Sequence, residues 1–325
     1  MKRRNHTWVW LLALGLFYTG GADLLAQTCC SGGVPISGNL GLPVGNPGTL
    51  QLSLTYDFNN LETLYESSQK LDDDTRTRNT HSTLLEIGYQ LSERWQISAL
   101  ITGVRQERNL RPIGLEPRNQ QTTGLGDAVL LARYSPWSFL SIGIGGKLPT
   151  GAFQITDPSG IQYNADLQPG SGAWDGIGWL QASLPWALRP SGVWSATAIG
   201  RLTGTNPEFR FQQSYRFGND IQVIGGYTDR VFVANQIADL SGMFRFRWAG
   251  SDLSNGGVIP NTGGSWVFFN PGVTWWPTQN LSWQVNTEVP VFTQVDGVQL
   301  SPTWRINTGI YFIMGNKDKE DDLEF

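Results

Sequence analysis

From Leu50 to Phe312 the chain repeats one pattern, apolar side chains at every second position with polar or small ones between, in segments about ten residues long. The stretch from Gly124 to Gly151 shows it most plainly. Ala128, Leu130, Ala132 and Tyr134 share one face, with Asp127, Val129, Leu131 and Arg133 on the other. After Ser135-Pro136-Trp137-Ser138, Leu140, Ile142, Ile144 and Leu148 oppose Ser141, Gly143, Gly145 and Lys147. A period of two with a continuous apolar face predicts half-buried strands joined as a hairpin. The opposite face carries Asp, Arg and Lys, which a packed core does not accept unpaired. One face suits hydrocarbon and the other tolerates water, as a transmembrane barrel strand requires.

The alternation recurs at residues 50–58, 85–91, 95–102, 180–186, 194–202, 209–217, 244–248, 281–291 and 304–312. The connections sort into two kinds. Those at residues 92–94, 135–138, 186–192, 218–220 and 277–280 are short. Those at residues 59–80, 105–123, 152–173, 249–264 and 293–302 are longer and polar. Short turns at one end and long loops at the other are the habit of outer-membrane barrels. The pattern predicts an all-β fold, a transmembrane antiparallel up-and-down β-barrel of about 12–14 strands. Starting and ending on one side requires an even number. Residues 221–243 leave the choice open, giving the larger count if 221–227 and 230–236 are separate crossings.

No run of 18 or more apolar residues follows the first 26 positions. A helical span is therefore excluded, and a membrane protein of this sequence has to be a barrel. Residues 1–26 read as a signal peptide, with Lys2, Arg3 and Arg4 before a short apolar run from Trp8 to Tyr18 and cleavage near Ala26. The flanks of Arg3-Arg4 do not fit twin-arginine export. Residues 27–48 read as a periplasmic or plug segment, residues 49–314 as the barrel, and residues 315–325 as a charged periplasmic tail. Cys29 and Cys30 are adjacent; lipid attachment, a strained disulfide and a plain N-terminal segment all stay open.

The net charge is −4 with 15% charged residues, so no basic excess points to nucleic acid. Trp95, Tyr134, Trp137, Trp186, Trp194, Phe217, Trp276, Trp283 and Phe312 fall near short-turn ends, as an interfacial aromatic girdle would place them. The last strand carries Asn307, Gly309 and Phe312, with Met314 in the final aromatic position. This is the outline of a signal for the outer-membrane barrel assembly machinery.

Catalytic candidates are few. Once the signal is removed His81 is the one histidine left, and its parity with Leu85 and Ile87 turns it toward lipid while Ser82 points the other way. Asp72-Asp73-Asp74 reads as a solvated loop, and no His/Cys cluster suggests a metal. The Gly-rich runs lack a strand-to-helix context for phosphate. No catalytic, cofactor or metal residues are assigned, and the chain reads as a non-enzyme.

The informative surface is the inward face. Asp57, Glu86, Asp127, Arg133, Lys147, Asp175, Trp179, Arg201, Arg210, Arg216, Arg245, Arg247, Glu288 and Arg305 are expected to line a lumen. Their charges fit either a cross-barrel ion-pair network or a constriction that selects solutes. Val129, Leu131, Ile177, Trp179, Ile199 and Ile224 also point inward. They suit a route for hydrophobic solutes or a plugged barrel.

Thr123 to Tyr134 (TGLGDAVLLARY), Gly143 to Gly151 (GIGGKLPTG) and Pro169 to Asp175 (PGSGAWD) resemble the outer-membrane family named for the meta-pathway of phenol degradation. The likeness is looser from Asp175 to Met314. It implies a channel of the bacterial cell outer membrane, by analogy with transporters of hydrophobic compounds, and no catalytic residues. The expected partners are outer-membrane lipid, the assembly machinery and a small-molecule solute. Oligomeric state and solute identity do not follow. The expectation is a channel or uptake protein for small, hydrophobic or aromatic molecules. The alternative is a structural or adhesive barrel without transport.

Overall fold

The computed structural model describes residues 46–315, apart from 112, 113, 115, 211 and 212. The segment read as a signal peptide, the vicinal cysteines and the tail beyond Gly315 lie outside the described residues. In chain order the strands are β1 (Leu50–Glu66), β2 (Gln69–Leu71), β3 (Arg76–Gln90), β4 (Trp95–Leu110), β5 (Arg118–Leu125), β6 (Ala128–Trp137), β7 (Leu140–Leu148), β8 (Asp175–Trp186) and β9 (Arg189–Thr203). There follow β10 (Asn206–Phe209), β11 (Gln213–Arg216), β12 (Asp220–Val233), β13 (Gln236–Ala249), β14 (Leu253–Ser254), β15 (Gly257–Val258), β16 (Gly264–Thr278), β17 (Leu281–Val295) and β18 (Val298–Met314).

The main sheet closes into a 12-strand antiparallel barrel. β1 pairs with β18 from Leu50 opposite Met314 to Glu66 opposite Val298, which removes both sheet edges. β5 and β6 form one barrel position, both pairing with β4, with a break at Gly126-Asp127. Pairing of β1 with β18 closes the wall on itself, the condition for crossing hydrocarbon without an open sheet edge.

Alternation sets which side chains face out. Ile144 is 69% exposed on the outer wall, whereas Val129 on the neighbouring strand is 0% exposed inside. Leu130, Leu180, Trp194, Ile221, Phe244 and Ile310 continue the outward apolar belt. Trp95, Trp137, Trp186, Trp194, Trp283 and Phe312 lie on it toward the short-turn end.

Several expectations are corrected. Residues 209–217 alternate like a barrel strand but do not cross the membrane. β10, β11, β14 and β15 instead make a separate four-stranded sheet in the long loops. Residues 218–220 therefore belong to a long connection at the opposite end from the short turns, and Phe217 is buried in that loop sheet, outside the girdle. The physical reason is that the loop sheet is packed on an apolar face of its own, so it shows the same period of two. Trp276 faces inward and donates to Asp239 Oδ2 at 2.8 Å; its neighbour Trp275 is the outward residue. The connection expected at residues 293–302 is a two-residue turn, Asp296-Gly297, where Gly297 takes φ 80°. The strands are also longer than the bilayer needs, because polar ladders such as β3 with β4 continue outward to Arg76 and Leu110.

Candidate functional site: the barrel interior

Asp127 sits at the strand break and gathers the three conspicuous Gly-rich segments. Its Oδ2 accepts hydrogen bonds from Lys147 Nζ at 2.8 Å, the Ser171 amide at 2.9 Å and Ser171 Oγ at 2.7 Å. Its Oδ1 accepts from the Gly151 amide at 3.0 Å. A Cβ on Gly151 or Gly170 would overlap the other's backbone, so glycine is required where these two chains touch. Lys147 also lies 3.2 Å from Asp175, which in turn is 4.0 Å from Arg201. All of these charges are buried. A buried charge persists only when it is paired and hydrogen-bonded, and this cluster meets that condition at Asp127.

From this cluster residues 149–174 fold inward across the long-loop end. At the 3₁₀ turn Ala165–Leu167, Asp166 is buried against Arg78 Nη1 at 3.1 Å and also pairs with Arg108. Gln106 Nε2 donates to the Gln168 carbonyl at 3.2 Å, and Thr122 Oγ1 donates to the Leu167 carbonyl. Above it the loop sheet packs Phe209, Tyr215 and Phe217 on Ala165. Arg210 donates to Asn164 Oδ1 at 3.2 Å, tying the two loops together. Tyr215 donates to Asp252 Oδ2 at 2.5 Å. Burial pushes the Asp252 carboxyl above its ordinary range and pushes the Tyr215 hydroxyl up as well, the latter reinforced by the Asp252 charge.

Deeper inside, one flank is apolar. Leu100, Val129, Ile177, Trp179 and Ile199 pack together, with Leu84, Leu131 and Ile224 against them. A Cβ on Gly143 would overlap the Trp179 ring, so this glycine lets the indole lie flat on the wall. Arg133 stacks over that indole at 5.6 Å, and Glu86 is buried within electrostatic reach of it.

The other flank is polar and leaves a cavity of about 300 Å³ between β8 and, round the barrel, β1. Arg305 Nε donates to Asp57 Oδ2 at 2.7 Å, and Arg245 Nε to Glu288 Oε2 at 2.8 Å. Arg245 also lies over Phe268 at 4.3 Å, and Arg247 donates to Asp220 Oδ2 at 2.6 Å.

Of the residues expected to line a lumen, Asp57, Glu86, Asp127, Arg133, Lys147, Asp175, Trp179, Arg201, Arg245, Arg247, Glu288 and Arg305 stand on the inward face. Arg210 and Arg216 do not. Arg210 directly follows β10, and Arg216 ends β11, where its Nη2 reaches Asn219 Oδ1 at 3.5 Å. Sequence reasoning missed Arg78, Arg108, Asp166, Asp220, Leu84 and Leu100. Parity did carry a signal for Arg78 and Arg108, which are in phase with Ser82 and Gln106; it was lost because a polar strand beyond the bilayer reads as loop. His81 Nδ1 and Tyr56 OH are hydrogen-bonded at 2.7 Å, and the imidazole packs on Phe58, on the face opposite buried Ser82.

A closed barrel with an outward apolar belt and a charged interior defines an integral β-barrel of the bacterial outer membrane. No family model matches the chain, and no curated protein does. Among solved structures, an outer membrane channel from Pseudomonas putida F1 is similar over 86% of this chain and 99% of that one, with a TM-score of 0.66 and 15% identity. The β domain of the Bordetella autotransporter BrkA follows at 82% and 100% coverage, TM-score 0.45 and 11% identity. A Pseudomonas aeruginosa FadL homologue follows at 88% and 98%, TM-score 0.41 and 9% identity. The first likeness shows the shared barrel fold; the other two are too distant to carry an argument.

Proposed function

We propose that this barrel is a passive outer-membrane channel or uptake protein for small molecules and has no enzymatic role. The observation that carries the reading is the 300 Å³ cavity inside the closed wall. A structural barrel has no need of such a space, and 300 Å³ lies at the lower end of small-molecule sites. The inward residues Asp57, Glu86, Asp127, Arg133, Lys147, Asp175, Trp179, Arg201, Arg245, Arg247, Glu288 and Arg305 line the barrel lumen in this reading, and of them Asp57, Arg245, Glu288 and Arg305 border the cavity. Hydrophobic or aromatic solutes are the class expected from the sequence, but the apolar cluster at Trp179 and Ile199 is already packed, 7% and 2% exposed, and does not border the cavity. The likeness to the family named for phenol degradation is supported by one physical fact: the three segments that carry it meet at Asp127. The last strand, with Gly309 and Phe312, is read as the part presented to the assembly machinery.

One observation favours the alternative, a structural or adhesive barrel. Asp166 holds residues 149–174 across the long-loop end. Planar-bilayer conductance of the refolded protein separates the two. Discrete openings, and loss of uptake on deletion of the gene, support the channel. A correctly folded barrel without conductance or uptake defect sinks it.

A further inference from the structure

We propose that the cavity between β8 and β1 is a binding site for an uncharged small solute carrying several hydroxyl or amide groups. The inference rests on the channel reading and names the class of molecule it takes.

Charge is the first argument. Five charged side chains line the cavity: Asp57, Asp239, Arg245, Glu288 and Arg305. Each already has an opposite partner. Asp57 holds Arg305 at 2.7 Å, Glu288 holds Arg245 at 2.8 Å, and Asp239 holds Arg230 through two hydrogen bonds at 2.7 and 2.9 Å. With every charge paired, the wall presents no unbalanced charge to draw in an ion of either sign and repay the loss of its hydration.

Hydrogen bonding is the second. Apart from these ions and Ile224, Met243 and Trp276, the wall is hydroxyl and amide, including Thr197, Ser241, Gln284 and Asn286. These groups donate and accept, which suits hydroxyls or amides on a solute and leaves a hydrocarbon facing unsatisfied polar groups. Gly272 permits the arrangement. A Cβ there would overlap Asn286 Oδ1 and come 2.7 Å from Ser241 Oγ, so its absence lets both side chains lie over the wall. Ile224 and Trp276 provide an apolar surface for one side of such a solute, as carbon-bound hydrogens on a ring require.

The third argument is that the apolar flank is already filled. Val129 is 0% and Ile199 2% exposed, so that cluster acts as packing and the free volume lies on the polar side. A volume of 300 Å³ equals about ten waters, the size of a small polyol.

The test is osmotic swelling of proteoliposomes holding the full refolded protein, with folding checked by heat-modifiable gel migration. Three probes of matched size are used: arabinose, the arabinonate anion and a cationic amino sugar. Arabinose entering at least fivefold faster than either ion is the expected result. Asn286→Leu should slow arabinose about fivefold, the effect of one lost hydrogen bond. Glu288→Gln leaves Arg245 without its carboxylate and should turn the preference toward arabinonate. Arg305→Gln should do the reverse and favour the cation, giving a second variant if the first does not fold. Equal entry of all three probes, or faster entry of an ion into wild-type liposomes, overturns the neutral-solute site and leaves the channel standing. No swelling by any probe with a folded barrel overturns both.

Discussion

Asp166 Oδ2 lies 3.1 Å from Arg78 Nη1, and the two side chains are 3% and 1% exposed. One residue comes from a long loop and the other from the outward extension of β3, so their pairing decides how far the loop enters the barrel. Replacing Asp166 by Ala leaves two buried guanidinium groups, Arg78 and Arg108, without it. Removing one partner of a buried pair costs about 3–5 kcal/mol. We expect D166A to lower the urea midpoint of the refolded barrel, to expose residues 149–174 to protease and to raise single-channel conductance. Unchanged conductance with unchanged proteolysis would show that this pair does not hold the loop.

Gly143 is the place where the wall makes room for Trp179. Gly143→Ala puts a Cβ into the indole and forces it toward the lumen. Overpacking of this kind costs about 1–3 kcal/mol. The near-ultraviolet circular dichroism of the tryptophans should change and the unfolding midpoint fall. A variant with the wild-type spectrum and midpoint would mean the indole does not rest on that glycine.

The loop sheet has a pH dependence whose sign follows from Asp252. Burial raises its folded pKa above the unfolded value. Its contribution is therefore fully present below the unfolded value, about pH 4, and is lost as pH rises through the folded value. Tyr215 is shifted the same way and acts in the same sense at alkaline pH. Amide exchange in residues 204–219 and 250–263 should speed up as pH is raised, after correction for intrinsic exchange. Asp252→Asn should flatten the profile. A loop sheet that becomes better protected with rising pH contradicts the assignment.

His81 serves as an aromatic partner of Tyr56 and Phe58 on the outward face of β3. His81→Ala should leave conductance unchanged and shift the unfolding midpoint only slightly, by about 1 kcal/mol or less for a lost half-exposed hydrogen bond. Lipid or peptide hydrolysis by the wild type that disappears in H81A would instead revive a catalytic role.

Much of this architecture is legible residue by residue. Leu130 outward and Val129 inward follow from a strand's period of two, as do Ile144 outward and Lys147 inward. The same rule misreads Phe209 to Phe217, because any sheet with one packed face alternates. It places Trp276 in the girdle when Trp275 holds that position, since two adjacent tryptophans cannot be told apart without the register. It loses Arg78 and Arg108, because a polar strand beyond the bilayer has no apolar face to mark it.

By itself, then, the sequence determined that the chain must cross a membrane as strands, which end carries the short turns and which side chains of each strand share a face. These depend on local backbone geometry and on the solvent each face meets. The tertiary structure alone decided closure at twelve strands, the pairing of Asp166 with Arg78 and Arg108, and the position of the cavity among Asp57, Arg245 and Glu288. Those depend on contacts between residues far apart in the chain. Only the register of the closed sheet and the folding of loops into its mouth bring such residues together.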